Sequence, residues 1–293
     1  MRKQDLIDNK LSKKIGLPII TACGNLFKNE IKNPVFLIGL GRSGTTKLLH
    51  ILSKHNDIAA FPVEGNMYWH PKSYPWIETD LSRPPFWFDP HKFTSLSVSD
   101  WTPYYEKRLK SVFGAYKFLF RRKKIFLNKN VMLNFMIPKI LELFPNAKFI
   151  NLYRDGRAVA YSYAKHEVAK IKKNENEFRS RNYYSSFEQV LYKMCELWSK
   201  SIQEVENMKK NNSTINLFEM SYEDFCSNPK LHLDKVFEFL KIDPSGLDSI
   251  HYADVKSMNY KFATELTEEV QENMLKIMTP VLKLKGYLNQ DDS

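Results

Sequence analysis

Residues 39–46 read Gly39-Leu40-Gly41-Arg42-Ser43-Gly44-Thr45-Thr46, and this stretch decides the fold class. Gly39 and Gly44 have the spacing of a phosphate-binding loop, G-x-x-x-x-G-K-[ST], with Thr46 at the hydroxyl position. Thr45 stands where that loop carries the lysine that reaches the β and γ phosphates. The cradle is kept and the γ-phosphate grip is lost. The loop is therefore expected to bind a nucleotide that is not handled as a triphosphate.

The flanks fit a cradle. Val35-Phe36-Leu37-Ile38 is an unbroken apolar run, as in a strand buried on both faces of a parallel sheet. After the loop, Leu48, Leu49, Ile51 and Leu52 recur at helical spacing. Strand, glycine loop and helix together aim main-chain N–H groups and a positive helix end at an anion.

Composition sets the bounds. A chain of 293 residues fits one large α/β domain or two small ones, at about 100–200 residues each. The net charge of +11, from 44 basic and 33 acidic residues, favours anionic partners. No zinc-finger, homeodomain or RNA-binding signature accompanies it, so nucleic acid is not an expected partner. Cys23, Cys195 and Cys226 are sparse and widely spaced, which fits free thiols in a reducing compartment. No run reaches the roughly 18 apolar residues of a membrane span. Ile15 to Ala22 is too short for one and lacks a clear cleavage site, so a cytoplasmic protein is expected.

Along the chain, residues 1–32 read as an N-terminal arm and 33–293 as a single domain. The stretch of about 64–103 is an aromatic and proline-rich insertion, irregular in character. It either carries acceptor contacts, through Tyr68, Trp69, Trp76 and Trp87, or packs as an aromatic mini-core. Strands are expected at Ile58 to Phe61, Ile125 to Leu127, Lys148 to Tyr153 and Ile215 to Phe218. Helices are expected with Phe135 to Phe144 on one apolar face, from about Arg157, over Phe187 to Met208, around Leu233 to Leu240, and over 267–284. The polar run Lys170 to Ser186 is a lid or an exposed loop. The alternation predicts a P-loop-like three-layer sandwich, with a central parallel sheet flanked by helices.

A second anion site lies at Tyr153-Arg154-Asp155-Gly156-Arg157. Arg154 sits where a strand ends, and open α/β sheets bind ligands just outside such carboxyl ends. Asp155-Gly156 turns the chain into a helix that carries Ser162 about two turns in. A guanidinium fork with a nearby hydroxyl suits a phosphate monoester. Arg157 serves a carboxylate or faces solvent. Two anion sites on one sheet imply one ligand with two separated anionic groups.

With both motifs in hand, the chain resembles the sulfotransferases that use 3′-phosphoadenosine 5′-phosphosulfate (PAPS) and release 3′,5′-phosphoadenosine (PAP). Gly41-Arg-Ser-Gly-Thr-Thr46 is similar to their 5′-phosphosulfate loop, and Arg154-Asp-Gly-Arg-Ala-Val with Ser162 to their 3′-phosphate motif. Asn128-Lys129-Asn130 and Leu143-Phe-Pro-Asn-Ala-Lys-Phe149 resemble the protein-tyrosine and Golgi carbohydrate branches. Ser221-Tyr-Glu-Asp-Phe225 and Lys285-Gly-Tyr287 resemble two further family segments.

The resemblance implies roles. Arg42 would hold the 5′ phosphate and the leaving oxygen, with Gly41, Ser43, Gly44, Thr45 and Thr46 completing the cradle. Arg154 and Ser162 would bind the 3′ phosphate, with Tyr222 near it or the adenine. Lys129 would stabilise the transferring sulfuryl group. Glu64 would be the general base, with His70 as its rival. Lys165-His166 stand where some relatives place an Arg on the phosphate, and Lys256, Ser257 and Lys261 would close over the nucleotide. No metal is implied, since His50, His55, His70 and His91 lack ligand spacing.

Two other functions stay open on the sequence. A P-loop kinase or NTPase with an altered loop would want an Asp ending a Walker B strand, whereas the strand at 148–153 ends in Arg154-Asp155. A non-catalytic binder of anionic polymers would make Glu64 and Lys129 dispensable. The acceptor, a sugar, tyrosine or other hydroxyl, and the oligomeric state are not legible.

Overall fold

The computed structural model describes residues 31–62, 64, 69, 84–92, 103–172, 182–259 and 261–290. Residues 1–30 of the expected N-terminal arm, most of the 64–103 insertion and the middle of the 170–186 run lie outside those residues.

Five strands form one sheet: β1 (Val35–Ile38), β2 (Ile58–Ala60), β3 (Ile125–Lys129), β4 (Lys148–Tyr153) and β5 (Asn216–Ser221). Their order is β2-β3-β1-β4-β5 and every pairing is parallel. The helices are α1 (Thr45–Ser53), α2 (Pro103–Leu119), α3 (Ile137–Leu143), α4 (Gly156–Lys172) and α5 (Phe187–Asn211). They continue with α6 (Tyr222–Ser227), α7 (Pro229–Leu240), α8 (Lys261–Glu265) and α9 (Glu268–Leu284). The expected three-layer α/β sandwich is what the chain forms.

Strand alternation builds the layers. In β1, Phe36 and Ile38 point to one face, where they join Phe61, Phe126 and Phe149 under α2 and α3. Val35 and Leu37 point to the other, against α1 and α7. A third cluster joins α4, α5 and α9. Both faces are covered, which is why β1 can be apolar throughout.

Topology then locates the crevice. From β1 the chain leaves through α1 towards β2, while from β4 it leaves through α4 and α5 towards β5 on the opposite side. Adjacent parallel strands whose connections diverge open a ligand crevice at their carboxyl ends. Those ends are Ile38 and Tyr153.

Several elements differ from the sequence expectation. β3 runs two residues past Leu127 and carries Lys129 to the carboxyl edge. The helix expected from Phe135 is split into a 3₁₀ turn, Leu133–Phe135, and α3, because Met136 leaves the helical region at φ −126°. The split frees Asn134, whose Oδ1 accepts the Gly39 N–H at 2.8 Å. α2 has no counterpart in the sequence reading. Its core-facing positions Leu109, Val112, Phe113 and Tyr116 keep helical spacing, continued by Phe120 just past the helix end, but they follow the proline-rich insertion.

Candidate active site

The loop after β1 is shaped by backbone. Gly39 has φ +136° and Gly44 φ +91°, where side chains are strained. A Cβ on Gly39 would lie 2.3 Å from the Leu152 carbonyl oxygen, and one on Gly44 would lie 2.7 Å from the Tyr222 ring. Arg42, at φ +73°, adopts the left-handed region without the freedom of glycine. A strained non-glycine residue that persists is often a functional one.

α1 begins without help from its own side chains. Its N-cap, Gly44, contributes no capping group, and no acidic residue stands in the first turn. The first amides of a helix lack intrahelical partners and carry the positive end of its dipole. They face the crevice beside Thr45 and Thr46, which line it.

The two anion motifs meet at one residue. The Arg42 Nε donates to Ser162 Oγ at 3.0 Å. The Arg42 carbonyl accepts from Arg154 Nη1 at 2.9 Å. Thus the loop and the strand end fix each other through opposite ends of Arg42.

Arg154 is buried, and all three of its nitrogens are engaged. Nη1 takes the Arg42 carbonyl, Nη2 donates to the Met258 carbonyl at 2.9 Å, and Nε donates to Asn259 Oδ1 at 2.7 Å. Its guanidinium lies 4.3 Å from the centre of the Tyr222 ring. Burial pushes the guanidinium below its ordinary pKa, against the pull of Tyr222 and Glu223. Tyr222 is held neutral, pushed up to about 12 by burial and by its contact with Cys226. Its hydroxyl donates to the Lys256 carbonyl at 3.1 Å.

A second layer continues outward. Asn259 Nδ2 donates to Glu223, whose Oε1 also accepts the Asp155 N–H at 3.1 Å. The other Glu223 oxygen accepts from the Tyr287 hydroxyl at 2.7 Å. Arg157 serves a carboxylate, gripping Asp155 with two bonds of 3.0 and 2.7 Å. Asn134, Glu223, Met258 and Asn259 were not singled out by the sequence. Only Glu223 had a signal, lying next to Tyr222 in the Ser221–Phe225 segment.

These groups surround a cleft of about 720 Å³, ample for a nucleotide. Its lining includes six basic side chains, Arg42, Lys47, Arg154, Lys165, Lys256 and Lys261, against one carboxylate, Asp254. Two of the six are already paired: Lys47 with Asp254 at 2.8 Å and Lys165 with Glu265 at 2.6 Å. The family-like segment at 256–261 does line the nucleotide-sized cleft, as do Lys165 and His166.

Glu64 and Lys129 sit beside the cleft, joined to it by Thr46. Lys129, only 5% exposed at its side chain, donates to Thr46 Oγ1 at 3.3 Å and forms an ion pair with Glu64. Asn130 Nδ2 donates to the Glu64 carbonyl at 3.1 Å and fixes the backbone there. His70, Tyr68 and Trp76 fall outside the described residues. Trp69 is fully buried against Phe36 and Phe113, with its Nε1 on Asn128 Oδ1, and Trp87 is buried too. Both therefore pack as core, the mini-core alternative. Among the described residues, no group of three or more His, Cys, Asp or Glu side chains is placed to hold a metal ion.

A family model described as the sulfotransferase family matches residues 34–245. The chain belongs to that family. Three solved sulfotransferases have the same fold as this one. The enzyme from Alicyclobacillus acidocaldarius is 15% identical, with a TM-score of 0.54, over 89% of this chain and 98% of that one. A sulfotransferase from Mycobacterium avium is 11% identical, with a TM-score of 0.61, over 94% and 82%. The sulfotransferase domain of the curacin biosynthetic pathway is 18% identical, with a TM-score of 0.51, over 86% and 98%. No curated protein matches this chain in sequence. Among the described residues no helix is long and apolar enough to cross a membrane.

Proposed function

We propose that this sulfotransferase takes its sulfuryl group from PAPS and passes it to an acceptor hydroxyl. The carrying observation is the double engagement of Arg42, its side chain on Ser162 and its carbonyl on Arg154. One residue thereby spans two anion-binding places, which suits a donor with phosphate at the 3′ position and phosphosulfate at the 5′ position. The basic lining and the open amides of α1 fit the same donor.

In this reading Arg154 and Ser162 hold the 3′ phosphate, with Tyr222 packed on Arg154. Gly41, Arg42, Ser43, Gly44, Thr45 and Thr46 cradle the 5′ side. The acceptor oxygen attacks sulfur in line as Glu64 takes its proton. The sulfur–oxygen bond to the 5′ phosphate breaks, and PAP leaves. Arg42 and Lys129 balance the charge that develops on the leaving and equatorial oxygens. The Lys129 contact supports Glu64 as base, because it holds that carboxylate at the edge of the cleft. The acceptor is a hydroxyl compound of the sugar, peptide or other alcohol class.

Calorimetric titration of PAP, AMP and ATP in EDTA tests the donor. Tight binding that requires the 3′ phosphate and is lost in Arg154→Ala is expected. Equal or better binding of ATP, rescued by magnesium, would sink the PAPS reading in favour of a kinase.

A further inference from the structure

The chain's positive charge is unevenly distributed. Residues 103–124, α2 and the turn into β3, hold eight basic side chains and one acidic, a net +7. The other 271 residues share the remaining +4 of the total +11. The one acid, Glu106, is engaged by Lys139 at 2.6 Å.

Two of the eight basic groups turn inward and fasten the segment. Lys117 donates to the Lys123 carbonyl at 2.6 Å, and Lys123 donates to the carbonyls of His55 and Ile58 at 3.0 and 2.8 Å. Lys107, Lys110, Arg121, Arg122 and Lys124 are exposed, Lys124 meeting Asp57 at 2.8 Å.

Between these charges stand two large apolar side chains, Phe118 at 37% and Leu119 at 49% exposed. The helical period explains their position. Leu109, Val112, Phe113, Tyr116 and Phe120 already occupy the core-facing side, which leaves Phe118 and Leu119 pointing out. Arg121 lies over the Phe118 ring at 5.5 Å, which sets a cation beside the apolar tip.

We propose that Phe118 and Leu119, ringed by these basic groups, form a docking surface for an anionic lipid bilayer. The apolar pair enters the headgroup boundary while Arg121, Arg122 and their neighbours meet acidic lipids. A soluble polyanion would use the charges but gain nothing from an exposed Phe-Leu pair. The bilayer uses both. The patch precedes Ile125, the first residue of β3, and all strands run parallel. It therefore lies at the sheet edge opposite the cleft, and docking would turn the cleft away from the membrane.

Co-sedimentation of the full chain with vesicles provides the test. Phosphatidylcholine alone is compared with an equal mixture of phosphatidylcholine and phosphatidylserine, at low and high salt. Binding is expected only with the mixture and should weaken with salt. Arg121→Glu with Arg122→Glu should lower the partition roughly thirtyfold or more, at about fivefold per basic residue lost. Phe118→Ser with Leu119→Ser should lower it about tenfold. PAP binding and melting temperature serve as folding controls, since none of these residues touches the cleft. Sedimentation no greater with the anionic mixture would overturn the proposal. So would full retention of binding in the Phe118/Leu119 variant, which would make this a polyanion surface.

Discussion

Lys129 reaches from the end of β3 to the carboxylate of Glu64 and to the Thr46 hydroxyl, so one ammonium links the proposed base to the phosphate loop. A cation with two partners on different segments holds them in register. It also leaves Glu64 without its counter-charge whenever Lys129 is drawn to a more anionic neighbour. The pair should therefore act as a unit. Glu64→Gln is expected to lower kcat by about 10²–10⁴-fold while leaving PAP affinity unchanged. The double variant with Lys129→Ala should lose little more than the worse single one, as coupled residues are strongly non-additive. Steady-state kinetics on the four proteins decide it. Simple additivity would show that the ion pair has no part in turnover.

Arg154 engages three acceptors at three different nitrogens. A lysine at that position has one compact ammonium and cannot match the fork. Arg154→Ala is expected to weaken PAP about 10- to 100-fold, in line with lost charge-assisted hydrogen bonds. Arg154→Lys should recover little of it. Full rescue by lysine, measured by calorimetry, would reduce Arg154 to a point charge.

Tyr287 does not line the cleft, yet it belongs to the chain of bonds that reaches Arg154 through Glu223 and Asn259. Tyr287→Phe removes only the hydroxyl. PAP binding should weaken about two- to tenfold, the range of one modest hydrogen bond, with kcat at saturating donor unchanged. A fall in kcat with unchanged affinity would place Tyr287 in the chemistry instead.

His55 supplies the pH dependence of stability. Its ring is buried between the Asp57 N–H, which donates to Nδ1 at 3.0 Å, and the Asp243 carbonyl, 2.9 Å from Nε2. The neutral ring satisfies both, whereas a second proton would face a donor. Burial, the largest cause, holds its pKa below the ordinary histidine value despite the Asp243 bond. An unfolded chain then takes up this proton at a higher pH than the folded one, so stability falls as pH drops below about 6.5. His166 and His232 are depressed too, again mainly by burial, and add in the same direction. Melting temperature should decline between neutral pH and about pH 5. His55→Gln should lower stability at neutral pH and flatten the decline. An unchanged slope would remove His55 from the account.

Much of this was legible in order along the chain. Local signals carried the loop, β1, β4 and the entry to α4, because each is a short run with one period and a turn residue. What the sequence left hidden is long-range. Nothing near Asn134 announces that it caps Gly39, since the reach depends on a helix breaking at Met136. Nothing near Asn259 announces Arg154, more than a hundred residues away. The pairing of Glu64 with Lys129 follows from β3 extending past Leu127, where the residues Asn128 and Lys129 look polar enough to end a strand. Buried polar residues at the carboxyl edge of a sheet break the apolar pattern that marks a strand. The site itself blurs the boundary.

The bonds from Arg154 through Asn259 and Glu223 to Tyr287 join the middle of the sheet to the segment after the last helix. During synthesis the loop, β1 and β4 emerge long before Tyr287 does. A nascent chain halted before α9 would carry both anion motifs and still lack the anchor that orients the second. Capacity to hold donor would thus arrive late, as a property of the finished chain, and a bound nucleotide would report that the whole fold has closed.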